Sequence, residues 1–558
     1  MGINRTILRP VAFLAGRHAQ RQRRAFLEAH RRTAQVQQEL LLRLVRHHSD
    51  TAFGRDHGFG GIRSYGDFIS AVPIRSYEEL RPYMRRVLEG DSNALLPPGE
   101  RVLMFSLTSG TTGQPKHIPV TQRFANQMRR GWNIWGVTAL RDHPSGWLRP
   151  ILQIYSPMRE TTSPVGLPCG AISGLLVQMQ KRIVHRMYVV PEAVTTLKDP
   201  QTKYYTILRC GVGRDVAMIT TANPSSTISM IEVGQAHAER LIRDVADGTT
   251  RPPGERPHQI ARSLRFKRNR ALARRMEAGL HDDGQLLPTH FWRPALLANW
   301  TGGTLKLYLP RLSKLFGGVP IRDIGLVASE GRFSLPLKSG TAAGVAEITA
   351  NFLEFAPANQ RQTDRCETLR AHEVEVGREY FLVVTNWAGL WRYDLDDRVR
   401  VVDRLGESPV FEFLSRGPHT ANITGEKITE HQVVEAMRIA SLAGGLAMER
   451  FVLQGRFAPR PYYELSLEAP DGSDLEPLAD RLDRALSELN IEYHSKRASG
   501  RLGAIRPRAL PPGTLGQMED EKIRDRRGRP EQYKHQYLLT DILTEEQSIE
   551  HRDPGEVL

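Results

Sequence analysis

Cysteine is nearly missing: 558 residues contain three, Cys169, Cys210 and Cys366, and no CxxC pair. That excludes a disulfide framework and the usual zinc spacings, and it fits a reducing, cytoplasmic compartment. No apolar run approaches the ~20 residues needed to cross a bilayer, so no membrane span is expected. Internal repeats and low-complexity tracts are also lacking, which removes solenoid and collagen-like architectures. Aromatic residues make up only 7%, yet hydrophobic residues reach 40% and charged residues 25%, the ordinary make-up of a chain with a large core. Disorder is thereby excluded as a description of the chain as a whole, and its length corresponds to about three to four folding units.

Acidic residues are scarce in two stretches. Overall, 77 Lys+Arg face 62 Asp+Glu, a net charge of +15. Residues 1–50 hold ten arginines against Glu28, Glu39 and Asp50, and residues 251–276 hold nine Lys/Arg against Glu255; together they account for the whole excess. Both stretches read as helical. In the first, Phe26, Ala29, Val36, Leu40 and Leu44 recur at spacings near three and four, giving one apolar face. A solvated helix face is the plain reading of the arginines; contact with nucleic acid or anionic lipid is the other. The N-terminus is Arg-rich and acid-poor as targeting peptides are, but its helical pattern runs past residue 40 without a break, so it reads as part of the fold.

Proline and glycine punctuate the rest of the chain. Val102-Leu103-Met104-Phe105 comes after the turn Pro97-Pro98-Gly99 and reads as a buried strand. It leads into a glycine–hydroxyl loop, after which a helix begins near Arg123–Arg130, an order that points to α/β architecture. Tyr380–Thr385, Leu390–Val402 and Val410–Leu414 read as strands, with the turn Asn386-Trp387-Ala388-Gly389 between the first two. Ser415–His419 is the best linker candidate, and Thr429 with Gln432 forms a capping box before Val433, Val434 and Met437. The expected division is a large N-terminal domain, 1–415, and a smaller C-terminal domain, 416–558.

The segment Thr108-Ser109-Gly110-Thr111-Thr112-Gly113-Gln114-Pro115-Lys116 carries the chemistry. Glycines let amides turn toward a bound anion, four hydroxyls add donors, and Lys116 supplies a point charge for phosphate. It is not a Walker loop, because the GxxxxGK[ST] spacing is absent. The loop resembles the phosphate-binding loop of the acyl-adenylate-forming enzymes. Its continuation, His117-Ile118-Pro119-Val120-Thr121, looks like the auxin-responsive promoter family (the Gretchen Hagen acyl acid amido synthetases) in its bacterial form. Further segments carry the same resemblance. They are Asp50–Phe59, Val72–Glu78, Asn299-Trp300-Thr301-Gly302-Gly303, Leu326-Val327-Ala328-Ser329-Glu330-Gly331, and Trp391-Arg392-Tyr393-Asp394-Leu395-Asp396-Asp397. Near the C-terminus, Pro511–Leu515 and Gln532-Tyr533-Lys534 match the family's closing segments.

The resemblance implies an α/β acyl-adenylate-forming fold with a mobile α+β C-terminal domain. It also implies a ligase that uses ATP and Mg2+ to adenylate a small carboxylic acid. An amine acceptor, usually an amino acid, then displaces AMP. On that reading Thr108, Ser109, Gly110, Thr111, Thr112, Gly113 and Lys116 cradle the phosphates. Gly302, Gly303 and Ser329 contact the nucleotide, Glu330 faces the metal, and Asp397 binds the ribose hydroxyls. Lys116, Lys427 and Lys534 are the catalytic cations, the last two from the C-terminal domain. Three positions depart from the family pattern: Leu326 stands for tyrosine, Asp396 for the glycine before the ribose acid, and Glu531 for a glycine beside Gln532.

A thiol acceptor such as CoA is the nearest rival. A homologue that binds nucleotide without turnover is another, as is a basic nucleic-acid-binding protein without ligase activity, although nucleic acid is not the expected partner. For the acyl pocket, chain position alone suggests Arg123, Trp132, Trp135 and His290-Phe291-Trp292.

Overall fold

Helices begin where the sequence supplies side-chain oxygens. Ser64 and Ser76 open helices with capping boxes completed by Asp67 and Glu79. Thr121 caps the long helix Gln122–Asp142 by accepting from the Phe124 amide, and Thr429 with Gln432 forms the expected box before Glu430–Ala443. Each cap satisfies an otherwise orphaned amide and contributes about 1 kcal/mol.

The computed structural model describes residues 5–108, 116–180, 182–253, 259–360, 367–417, 420–421, 423–424, 426, 428–444, 448, 450–458, 460–470, 472–498, 502–525 and 535–544. The chain divides into two compact units, Met1–Gly302 with Leu315–Phe413, and Gly303–Lys314 with Leu414–Leu558.

Three sheets organise the first unit. Strands Ile151–Gln153, Met218–Thr220, Leu296–Asn299 and Ile321–Asp323 lie side by side in that order, all parallel. Their carboxyl ends carry Gln153, Thr220, Asn299 and Asp323, the edge at which α/β sheets bind ligands. A mixed sheet places Val102–Thr108 between Lys116–Thr121 and Pro168–Gly170. The third sheet has seven antiparallel strands centred on Glu379–Thr385, Tyr393–Leu405 and Ser408–Arg416. One core cluster joins the second and third of these sheets to the N-terminal helices, and the fully buried Trp391 sits within it; the parallel sheet packs with Phe26, Ile134 and Trp135 in another. Phe53 stacks on Trp391 at 5.9 Å, while Phe59 and His48 meet it edge-on at 4.6 and 5.0 Å. The segment Asp50–Phe59 is thus one wall of an aromatic box.

In the second unit, strands Arg506–Leu510, Tyr462–Glu468, Phe451–Phe457 and Leu538–Thr544 form a sheet in that order. Helices Glu430–Ala443 and Glu476–Leu489 pack on it through Val433, Met437, Leu482 and Leu486. Among the described residues no helix is long and apolar enough to cross a membrane.

Three local expectations are corrected. The glycine–hydroxyl loop is followed by a strand, Lys116–Thr121, before the helix, not by the helix itself. Pro119 hides that strand in the sequence, yet at the edge of a sheet a missing amide is tolerated. The N-terminal helix is interrupted: Arg5–Ala29 and Thr33–His47 flank a tight turn at His30–Arg32. There the His30 carbonyl is taken by the Glu407 amide at 2.8 Å instead of by the helix ladder. Finally, residues 264–269 have no regular structure between helices Gln259–Ser263 and Arg270–Asp283, so 251–276 is not one helix.

Candidate active site

The strands Val102–Thr108 and Lys116–Thr121 pair with Thr108 opposite Lys116, which clamps both ends of the loop between them. Ser109, Gly110, Thr111, Thr112 and Gly113 lie outside the described residues. Lys116 Nζ donates to the Tyr393 hydroxyl at 3.2 Å and lies 5.6 and 5.8 Å from the ring centres of Tyr77 and Tyr393. Two aromatic faces therefore hold the ammonium by cation–π attraction. Tyr77 is itself fastened, its hydroxyl accepting from the His117 amide at 2.8 Å. Burial pushes the Tyr77 hydroxyl pKa up, and the nearby Glu330 charge adds to the rise.

Glu330 occupies the turn of a small hairpin, with Ser329, between Val327–Ala328 and Gly331–Arg332. Two long-range bonds fix that turn. The fully buried Ser106 hydroxyl donates to Ser329 Oγ at 2.7 Å, and Asn386 Nδ2 donates to the Glu330 carbonyl at 2.7 Å. The strand feeding the loop and the turn bearing the acid are thus tied side chain to side chain. Leu326, half-buried, keeps an apolar surface where the family has an aromatic one.

The strand Tyr393–Leu405 carries two carboxylates in sequence. Asp397 is fully buried on the face shared by Leu395 and Val399, whereas Asp396 is partly exposed. Asp396 has φ +62°, the left-handed region that favours glycine, which accounts for a glycine there in the family; aspartate is among the side chains that tolerate it. Upstream, Arg392 anchors the strand. Its Nε lies 3.1 Å from both oxygens of the buried Glu354, and its Nη1 donates to the Val72 carbonyl at 3.0 Å. The Arg75 amide donates to the Arg392 carbonyl, and the Asp394 amide to the Arg75 carbonyl. The segment Val72–Glu78 therefore positions the segment Trp391–Asp397 as well as Tyr77.

Asp323 organises the segment Asn299–Gly303. One carboxylate oxygen accepts from the Thr301 amide and hydroxyl at 2.6 and 2.8 Å, and the other from the Gly325 amide at 2.6 Å. The loop leading into Gly302 and the strand leading to Leu326 thereby share one anchor. Gly302 packs closely, since a Cβ there would lie 3.3 Å from both the Ala342 side chain and the Phe413 carbonyl. Gly303 adopts φ +58° and begins the segment assigned to the second unit.

Sequence reasoning missed Tyr77, Tyr393, Ser106, Asn386 and Asp323 as site residues. Four of these lie within or beside the quoted motifs; Asp323 had only its place as an acid two residues before Gly325. Of the pocket candidates, Trp135 donates to the Asp323 carbonyl at 2.8 Å and Trp132 stacks under Arg332 at 4.3 Å. Arg123 instead pairs with Glu100 at 2.8 Å and lies over Trp387, and Phe291 and Trp292 are core. Lys427, Lys534 and Glu531 lie outside the described residues.

Comparison with known proteins agrees along most of the chain. Three family models match: the GH3 family N-terminal domain over residues 22–321, the GH3 family central domain over 345–416, and the GH3 family C-terminal domain over 431–542. The chain is 22% identical to the indole-3-acetic acid-amido synthetase GH3.3 of Arabidopsis thaliana, covering 88% of this chain and 86% of that protein. It is 24% identical to the jasmonoyl--L-amino acid synthetase GH3.5 of Oryza sativa subsp. japonica, covering 88% and 90%. The structure of a GH3.15 acyl acid amido synthetase in complex with 2,4-DB superposes with a TM-score of 0.79 at 20% identity, covering 93% of this chain and 94% of that one, so the fold is shared. With three consecutive domain models matched in order over most of its length, this chain belongs to the GH3 family.

Proposed function

We propose that this protein is an ATP-dependent acyl acid amido synthetase: it joins a small carboxylic acid to an amino acid through an acyl-adenylate. The observation that carries the reading is the convergence of Lys116, Ser329, Glu330 and Tyr77 beside the ends of the glycine–hydroxyl loop. In-line attack of a carboxylate on the α-phosphate spreads negative charge over phosphate oxygens, and a preformed cation with oriented donors stabilises that charge. Lys116, held by two tyrosines, is the cation on this side. Ser329 would contact the nucleotide, and Asp397 would accept from the ribose hydroxyls. Gly302 and Gly303 would let backbone approach the nucleotide, and Lys427 and Lys534 would add cations in the later half-reaction.

The donor set also fits magnesium. Among the described residues no three His, Cys, Asp or Glu side chains converge on a cage, and magnesium typically takes one or two carboxylates with phosphate oxygens. Glu330 would be that carboxylate, and the bound ion would neutralise phosphate charge. Buried, unpaired Cys169 and Cys210 fit a cytoplasmic enzyme.

Carboxylate-dependent exchange of pyrophosphate into ATP tests the first half-reaction. A panel of acids identifies the substrate, and parallel assays with hydroxylamine, amino acids and CoA separate an amine from a thiol acceptor. Lys116→Ala should lower exchange about 10²–10³-fold. Asp397→Ala should raise the KM for ATP far more than Asp396→Ala does. Exchange that survives both Lys116→Ala and Asp397→Ala would remove the assignment.

A further inference from the structure

Among the described residues of the helix Arg5–Ala29, the most deeply buried side chain, Phe26, lies in its last turns. Those turns lie on Gln122–Asp142. Phe26 is fully buried with Ile134, Trp135 and Ala139, Arg23 Nε donates to Thr138 Oγ1 at 3.1 Å, and Asn133 Nδ2 donates to Gln22 Oε1 at 3.2 Å. About three turns earlier stand Phe13 and Leu14, 64% and 66% exposed. A third apolar group joins them from a separate segment: the ring of Trp147, 40% exposed, would lie 3.5 Å from a Cβ at Gly16. The residue behind it, Leu148, is held at φ +54°, a conformation a bulky side chain adopts only under constraint.

Arginine dominates the charge of this part of the helix, while the neighbouring acids Asp142 and Asp215 are each paired, with Arg322 and Arg149. Arg17, Arg21 and Arg24 are exposed, no acid precedes Glu28, and the Arg17 guanidinium lies 5.7 Å from the Phe13 ring centre. Arg141, exposed on the neighbouring helix, extends the basic patch. A solvated helix would not display three large apolar groups together, and a nucleic-acid surface would need only the arginines. Self-association would bring like charges together. Exposed apolar side chains followed along the helix by arginines match a helix that lies in the headgroup region of an anionic bilayer, where insertion and charge act as two signals.

We infer that the apolar patch formed by Phe13 and Leu14 of this helix and the adjoining Trp147, with Arg17, Arg21 and Arg24 beside it, docks the protein on an anionic phospholipid surface. The inference stands apart from the ligase reading, because neither the patch nor its arginines touch the candidate active site. The test is co-sedimentation of the full chain with vesicles of phosphatidylcholine alone, or of phosphatidylcholine and phosphatidylglycerol in equal parts. Binding is expected on the anionic vesicles only and should fall as salt rises. Phe13→Ser with Leu14→Ser should lower partitioning roughly tenfold or more, and Arg17→Glu with Arg21→Glu about fivefold or more per position. Unchanged melting curves guard against misfolding. Tryptophan emission should shift to the blue on anionic vesicles and lose part of that shift in Trp147→Phe. The inference is overturned by wild-type protein that ignores anionic vesicles or binds neutral ones equally. Partitioning indifferent to Phe13 and Leu14, preferential capture of duplex DNA, or a dimer that dissolves in the Phe13/Leu14 variant would overturn it too.

Discussion

Asp323→Asn separates charge from shape at the anchor of the segment Asn299–Gly303. The carboxylate is 4% exposed and accepts three hydrogen bonds. Burial nevertheless dominates, and its pKa is pushed up from 3.8 to about 6, against the pull of Gly325, Thr301 and Arg332. A folded-state pKa above the unfolded one means that the folded protein binds the proton more tightly. The associated stability is fully present below the unfolded pKa and is lost as pH rises through the folded one. The whole swing is about 3 kcal/mol, of which about 1.3 kcal/mol falls between pH 5 and pH 7. Asparagine cannot titrate, and its amide NH2 must face a donor that the carboxylate had satisfied. At pH 7 the variant should be less stable by about 1–3 kcal/mol, the range for one lost bond to a charged acceptor. The diagnostic quantity is the gap between wild type and variant in urea unfolding, because other titrating groups cancel in it. That gap should narrow by about 1.3 kcal/mol from pH 5 to pH 7. A gap that is constant, or that widens with pH, would refute the idea that burial outweighs the donors. In the exchange assay, Asp323→Asn should raise the KM for ATP more than it lowers kcat, since it displaces Thr301 and Gly325 and not a reacting group.

Two other substitutions test the packing that supports the site. Gly131→Ala should stabilise a helix by about 1 kcal/mol on propensity alone. Its Cβ, however, would fall 2.4 Å from Arg332 Cδ, against a side chain that is 2% exposed. Net destabilisation of about 1–3 kcal/mol is therefore expected in urea unfolding, and a stabilised variant would mean that Arg332 moves aside freely. Arg392→Met strands the fully buried Glu354, so about 3–5 kcal/mol should be lost. Adding Glu354→Gln should recover part of that loss in thermal melts, and no recovery would mean that the pair is not the cause.

Legibility followed sequence distance. The capping box at Thr429 and the buried run from Val102 could be read from neighbouring residues, and the family from motif order. The bond between Ser106 and Ser329 spans 223 positions, and no local spacing announces it. Two basic stretches looked alike as helical runs. One is interrupted where a distant amide, that of Glu407, takes the His30 carbonyl, and the other is irregular over 264–269.

Residue types and their order thus determined the family, the chemistry at stake and the fact that fifteen excess charges gather in two stretches. Caps, turns and glycine loops are short-range objects whose energy depends on side chains a few positions apart. Only the tertiary structure decided that Tyr77 and Tyr393 hold Lys116, that Asp323 joins two loops, and that Phe13, Leu14 and Trp147 stand exposed among arginines. Those relations depend on sheet register and on which faces are buried. They are set by the packing of segments hundreds of residues apart, which local spacing does not carry.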